Sequence, residues 1–441
     1  FSLKVSVPKD DPKIPSITDI LNGAILYERE VNDLLGVFPE GHPDPKRLIL
    51  AYDWPEGVHP LRKEWDIQSL REKVDGEKWG KDVDPRIGYN HRGIEKAMES
   101  RNYIQNLYIT ERVCGICSNA HQTCYTGAVE EAGGIEIPER AKYIRVFVQE
   151  LERIHSHLLW LGVAAHEIGF DTFFYYVWRD RELVMDLLEE ISGNRVNYAI
   201  PTIGGVRRDL AKNKFEKWHK MLDKLGERTE YYIKVASTEQ TILERAVGVG
   251  YLSKQDMIRL SGSGPNARCS GVPCDIRHCS PYLIYDEIDF EHVVVDNGDV
   301  LGQVLVRVLE VLESVKICKW VLDNIPEGEI ATKFSPMSRV AEGEAVYLVE
   351  AQRGELIHYT ISDGKNQPYR HKIRAPTLGN IPSLVERLKG GYIADIPIVL
   401  AGIDPCFSCT DRMAFYDEGK DKTWSWDEEQ LRRYSLEWYE K

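Results

Sequence analysis

Two cysteine pairs carry the clearest chemistry in this sequence. Cys114 and Cys117 form a C-x-x-C within Arg112-Val-Cys-Gly-Ile-Cys-Ser118, and Cys406 and Cys409 form another within Asp404-Pro-Cys-Phe-Ser-Cys409. Two thiolates at i and i+3 chelate one ion when a turn brings them together, and Gly115 lets the backbone fold tightly there. The pairs lie too far apart for one local zinc ribbon, so a shared centre requires the fold to join them. Four thiolates favour zinc, iron–sulfur, nickel or copper. Spacing alone leaves a structural four-cysteine zinc site and an iron–sulfur site open beside a redox metal.

The chain that must position them has 441 residues, enough for about two to three domains. With 43% hydrophobic and 29% charged residues, it has globular composition and can bury a large core. A net charge of −14 argues against a nucleic-acid-binding body. No apolar run is long enough to span a membrane. No secretory signal is legible, and the opening on Phe1 rather than Met leaves room for a longer N-terminus. Nine cysteines fall far below disulfide-scaffold density and fit a reducing compartment.

Residues 1–20 read as extended and proline-punctuated, and Ala24 to Leu35 as a helix ending at Gly36. Residues 41–65 are rich in Pro and Gly and read as coil lying across a partner or the following domain. The charged stretch 67–84 reads as a linker. The expected organisation is therefore 1–66, a linker at 67–84, a main domain at 85–412 and an extension at 413–441. Helical periodicity after Pro138 places Ile144, Phe147, Val148, Leu151, Ile154, Leu158 and Leu161 on one stripe. Further helices are expected at 178–191, 214–246 and 300–322, the last stopped by Pro326. Strands are expected at 345–349, 356–360 and 392–400. The fold class is thus α+β: a long-helix bundle core with small flanking β-sheets, preceded by a largely extended N-terminal segment.

The flanks of the cysteines narrow the chemistry. Glu111-Arg-Val-Cys-Gly-Ile-Cys117 with His121, paired with Asp404-Pro-Cys-Phe-Ser-Cys-Thr-Asp-Arg412, resembles the large subunit of nickel–iron hydrogenases. Gly88-Tyr-Asn-His-Arg-Gly-Ile-Glu95, Glu152-Arg-Ile-His-Ser-His157, Ser192-Gly-Asn-Arg-Val-Asn197 and Gly204-Gly-Val-Arg-Arg-Asp209 are similar to the energy-converting, membrane-associated group, which is related to the quinone-site subunit of respiratory complex I. The resemblance covers roughly 84–412. Complex I subunits of this type lack the four cysteines, which favours hydrogenase. Glu28 to Phe38, Gly41 to Leu48 and Pro60 to Lys63 resemble the C-terminal part of the small (30 kDa-type) peripheral-arm subunit of complex I. The fusion looks like the large subunit of formate hydrogenlyase-type complexes.

The resemblance implies a Ni-Fe centre, with iron carrying carbon monoxide and cyanide. Cys114 and Cys406 would be terminal nickel ligands, and Cys117 and Cys409 would bridge nickel to iron. Such a centre polarises H2 for heterolytic cleavage, with Cys406 as proton acceptor. Arg353 matches an arginine beside the iron, and Asp404 its carboxylate partner. Their plainer readings are a surface salt bridge and a turn-initiating Asp before Pro405. His121 would hydrogen-bond a cysteine sulfur, or serve as a core histidine. Glu111 would lie on a proton path, or pair on a helix surface. Iron–sulfur clusters are expected in a partner subunit, with an iron–sulfur small subunit, a ferredoxin-like subunit, membrane-arm subunits and a maturation protease as partners. The implied location is the cytoplasmic side of the cell membrane, peripherally, in a multisubunit complex. Reduction of quinone or polysulfide, or a connector role with a zinc or empty four-cysteine site, are the alternatives.

Three departures from the family pattern stand out. No Gly-Pro-x-His-Pro run precedes Gly88; in the family that hairpin carries the glutamate that passes protons from nickel. Gln352 stands where proline usually precedes the arginine. The chain continues from Met413 to Lys441, where many relatives are cut after nickel insertion; a C-terminal helix from about Asp427 is the plainer reading. Cys269, Cys274 and Cys279 recur at five-residue spacing and read as buried or free thiols rather than an accessory metal site, and Cys124 and Cys318 as core thiols.

Overall fold

The computed structural model describes residues 93–409 throughout. It also describes 24–43, short stretches at 8, 11–16, 18, 45, 58–59 and 62, and the strands 414–417 and 422–425. The linker 67–84, most of the coil 41–65 and the helix expected from Asp427 lie outside the described residues. The chain divides into two compact units, Phe1–Gly80 and Lys81–Lys441. In the first, strand β1 (Lys13–Pro15) pairs in parallel with β2 (Phe38–Glu40), and α1 (Ala24–Leu35) occupies the expected span. The helix stops at Gly36, whose φ of 66° suits a residue without Cβ.

The second unit opens with α2 (Ile94–Glu99), α3 (Tyr103–Thr110), α4 (Ser118–Gly133), α5 (Glu139–Glu167) and α6 (Asp171–Ser192). A two-stranded ribbon, β3 (Pro201–Thr202) with β4 (Gly205–Val206), leads to α7 (Phe215–Thr238) and α8 (Gln240–Ala246). Short helices α9 (Lys254–Arg259), α10 (Pro265–Arg268) and α11 (Ile276–Cys279) precede α12 (Val300–Asn324). An antiparallel sheet follows in the order β5 (Gly343–Ala351), β6 (Gly354–Ser362), β7 (Arg370–Arg374), then α13 (Pro376–Leu388) and α14 (Ile396–Gly402). The hairpin β8 (Ala414–Asp417) and β9 (Lys422–Ser425) occupies part of the stretch read as an extension.

Helices α5, α6, α7 and α12 pack as the expected bundle, with α5 central. Every side chain from Tyr143 to Leu158 is buried, the polar ones included. One face of α5 therefore meets apolar helices while another feeds polar groups to partners inside the protein. Helix α4 lies on β5 and β6, and Gly127 permits it: a Cβ there would sit 2.5 Å from the Tyr347 ring.

Several boundaries differ from the pattern reading. The stretch 392–400 is not a strand but a 3-10 turn (Ile393–Asp395) leading into α14. Pro397 in the first turn suits a helix start and could not serve a strand ladder. The helix expected over 214–246 breaks at Glu239, whose backbone is extended (φ −78°, ψ 119°). Helix α6 begins seven residues before Trp178, at Asp171. Pro138 caps α5 from outside rather than occupying its first turn. Strand β7 and helix α13 carry no periodicity strong enough to announce them.

Candidate metal centre

Cys114 and Cys117 occupy the turn between α3 and α4. Cys117 is the N-cap of α4 but offers no side-chain cap, so the first N–H groups of the helix need acceptors elsewhere. Glu152, from the middle of α5, supplies them. Its carboxylate accepts from Asn119 N at 2.7 Å, Ala120 N at 3.0 Å and Ser118 Oγ at 3.1 Å. The positive end of the helix favours this placement. Gln352 Nε2 donates to the same carboxylate at 3.0 Å, a bond that a proline at this position could not make. Burial pushes Glu152 up to about 7, the donors only partly opposing it and Cys114 adding to it.

The second pair follows α14. Asp404 takes a left-handed φ of 54°, which Asp tolerates better than most residues. Cys406 N donates to Thr377 Oγ1 at 3.2 Å, and Cys406 Sγ lies 3.2 Å from Cys114 Sγ. This is far too long for a disulfide and close enough for two ligands of one ion.

Arg353 binds the turn that carries this pair. It sits in the two-residue turn between β5 and β6, with Nε 3.0 Å from Asp404 O and Nη2 2.8 Å from Asp404 Oδ1. Nη1 reaches Ser156 Oγ at 3.3 Å. Arg353 is 3% exposed, so the surface salt bridge is excluded. Burial alone would lower its affinity for a proton, but Asp404, Cys406, Cys114 and Cys117 hold the guanidinium well above its ordinary value. A Cβ on Gly264 would fall 2.4 Å from Gly354 Cα, so the turn is seated directly on the backbone of a neighbouring loop.

The remaining expected residues fall as follows. Cys117 is fully buried, and its thiol acts electrostatically on the same guanidinium. Cys409 ends a 3-10 turn, Phe407–Cys409, and its side chain lies outside the described residues. Among the described residues no group of three or more His, Cys, Asp or Glu assembles as a metal site. The donor chemistry fits a soft metal at the Cys114–Cys406 pair. Glu111 is 2% exposed, paired with Arg112 through Oε1, while Oε2 has no partner among the described residues. His121 is fully buried and its Nδ1 meets His358. Cys269 is buried and receives a bond from Arg387, Cys279 is exposed, and Cys124 and Cys318 bond to backbone carbonyls in the core.

Sequence reasoning assigned no role to Glu152, Ser156 or Arg307. The first two stand in a quoted motif, but nothing in it shows that they face the cysteines. Arg307 is 1% exposed, stacks 4.1 Å from the Trp160 ring, and leaves Nε and Nη2 without partners among the described residues. Burial pushes it down to about 10, with Asp404 opposing.

Comparisons with known proteins fit this arrangement. The family "Respiratory-chain NADH dehydrogenase, 49 Kd subunit" matches residues 167–340 and 332–412. "Nickel-dependent hydrogenase" matches 92–162, and "Respiratory-chain NADH dehydrogenase, 30 Kd subunit" matches 1–70. Formate hydrogenlyase subunit 5 of Escherichia coli (strain K12) is 35% identical over 478 residues, spanning 99% of this chain and 84% of that protein. The chain belongs to the large-subunit family shared by energy-converting hydrogenases and respiratory complex I. Within it, the membrane-bound hydrogenase subunit alpha of Pyrococcus furiosus is 42% identical, covering 77% of this chain and 82% of its own. The fused C/D polypeptide of NADH-quinone oxidoreductase from Bacteroides fragilis is 34% identical, covering 92% and 86%. A solved chain from the membrane-bound sulfane sulfur reductase, an archaeal respiratory membrane complex, superposes with a TM-score of 0.73 at 33% identity, covering 77% of this chain and 93% of that one. Like a peripheral member of such complexes, the chain has among its described residues no helix long and apolar enough to cross a membrane.

Proposed function

We propose that this chain is the catalytic subunit of a membrane-associated energy-converting hydrogenase, interconverting H2 with protons and electrons. The observation that carries the reading is the 3.2 Å approach of Cys406 and Cys114, 292 positions apart in sequence, beneath the Arg353–Asp404 clamp. Cys114, Cys117, Cys406 and Cys409 would hold a nickel–iron centre, which when bound supplies the polarisation of H2 and the exchange of two electrons. The chain's own residues then have defined tasks. Cys406 Sγ takes up or releases one proton at the centre. Arg353 holds a fixed positive charge against the four sulfurs and excludes water from that side. Asp404 fixes the orientation of the guanidinium. Glu152, pushed up to about 7 by burial, is a carboxyl able to carry a proton close to Cys114. Electrons leave through an iron–sulfur partner subunit, on the cytoplasmic face of a membrane-arm assembly.

A second reading rests on the likeness to the sulfane sulfur reductase. In it the same scaffold passes electrons to polysulfide or another acceptor. Infrared spectroscopy with metal analysis of the purified complex separates the readings. Carbon monoxide and cyanide bands with stoichiometric nickel support hydrogenase. Zinc alone, with no such bands, sinks it. Cys406→Ser should abolish H2 evolution while the protein remains folded. Turnover of polysulfide without H2 evolution would favour the second reading.

A further inference from the structure

Three buried histidines form an unbroken file that no motif announces. His121 Nδ1 lies 3.1 Å from His358 Nε2, and His358 Nδ1 lies 3.0 Å from His371 Nε2. His371 Nδ1 lies 2.8 Å from Thr360 Oγ1. All four side chains are fully buried. The strand period explains how they meet. His358 and Thr360 share the core-facing side of β6, and His371 on β7 pairs directly with Thr360.

The file has one polarity: every ring turns Nδ1 toward Thr360. A neutral imidazole carries one N–H and one lone pair. The rings must therefore agree, with all protons on Nε2 or all on Nδ1. A mixed file would set two N–H groups or two lone pairs face to face. Neutrality is secured inside the fold, where burial, with His121 and Lys372 nearby, pushes His371 down to about 3.

Thr360 decides between the two states. Among the described residues its hydroxyl has no second hydrogen-bond partner, and a buried unused O–H costs more than an unused lone pair. The hydroxyl therefore donates to His371 Nδ1. His371 Nε2–H then donates to His358 Nδ1, and His358 Nε2–H to His121 Nδ1. The proton of His121 is left on Nε2. His121 lies one helical turn after Cys117 and donates its backbone N–H to Cys117 O at 3.1 Å.

We propose that Thr360, His371 and His358 are positioning residues that lock His121 in the Nε2–H tautomer, making it a hydrogen-bond donor suited to a thiolate sulfur. The proposal rests on the cysteine centre only in naming that acceptor. The test is nitrogen NMR on the full chain carrying 15N-histidine. The wild type should show all three rings as Nε2–H tautomers. Couplings across the N–H···N bonds should link His358 Nε2 to His121 Nδ1 and His371 Nε2 to His358 Nδ1. Thr360→Asp replaces the terminal donor with an acceptor and should move the His121 proton to Nδ1, three rings away; adding His358→Phe should cut that transmission. An Nδ1–H His121 in the wild type, absent couplings, or a folded Thr360→Asp variant with His121 unchanged would overturn the lock. The wild-type measurement carries no folding risk. No metal enters the readout, so its failure leaves the nickel–iron reading standing, and zinc in the centre leaves the lock standing.

Discussion

Two buried polar regions lie side by side in the bundle and are built on opposite plans. One joins Glu150, Arg153, Arg268, Asp275, Arg277, Glu310 and Glu350. Every carboxylate oxygen in it is engaged. Glu150 accepts from Arg277, Arg153, Tyr285 and Ser314, and Arg268 bridges Glu310 at 2.8 Å and Glu350 at 2.8 Å. Asp275 takes Arg277 at 2.7 Å, Glu310 meets His157 at 2.9 Å, and the second oxygen of Glu350 takes Ile276 N. The other region surrounds the cysteines and is left incomplete by the protein. Asp404 Oδ2, Glu111 Oε2, Arg307 Nε and Nη2, Tyr198 OH and His155 Nδ1 have no partners among the described residues. A saturated cluster is a scaffold that fixes the relative positions of α5, α10, α12 and β5. Unsatisfied groups in a buried site are the signature of a place organised around chemistry rather than around itself.

The contrast can be broken by substitution. The largest effect belongs to the scaffold. Arg268→Met strands Glu310 and Glu350 and should cost about 3–5 kcal/mol in denaturant unfolding. A loss under about 1 kcal/mol would mean that the cluster is not holding the helices. Next comes pH. With four carboxylates and three guanidiniums, the cluster has one carboxylate in surplus, and burial together with Asp275 pushes Glu350 up to about 7. Folded Glu350 keeps its proton where the unfolded chain has lost it. Its stabilising contribution is therefore full at acid pH and disappears as pH rises from the ordinary carboxylate range through about 7. The swing is on the order of 3 kcal/mol, and Glu350→Gln should flatten that slope in a pH series of melting curves. At the cysteine side, Arg353→Lys keeps the charge but loses the fork. Stability should fall by about 1–3 kcal/mol, and H2 turnover about a hundredfold. Equal losses in Arg268→Met and Arg353→Lys, in both stability and turnover, would erase the distinction. Smallest of all, Arg112→Ala removes a side chain that is 60% exposed and should change stability by less than about 0.5 kcal/mol.

Local pattern carried much of the fold. The stripe from Ile144 to Leu161 and the run from Val300 revealed the long bundle helices, because apolar periodicity survives burial. The apolar run ending at Leu400 misled, since a short apolar run is ambiguous and Pro397 was the informative residue. The cysteine pairs were legible as a motif. The parts that serve them were not. Glu152 caps a helix 33 positions away in sequence, and His121 meets His358 across 237 positions. Neither pairing leaves a periodic trace. Gln352 was visible as a departure, yet its reason appears only beside Glu152.

The turn between β5 and β6 has one more consequence. Its two residues, Gln352 and Arg353, hold opposite halves of the chain: one braces the helix that follows Cys117, the other the turn that precedes Cys406. Neither grip exists before the hairpin has its register, and joining the distant halves bears a large loop-closure entropy. The pocket should therefore be a late event in folding, formed after the helices have docked. Until that hairpin closes, the first pair of thiols is accessible on an assembled platform while the second hangs on a tail that can still be moved aside.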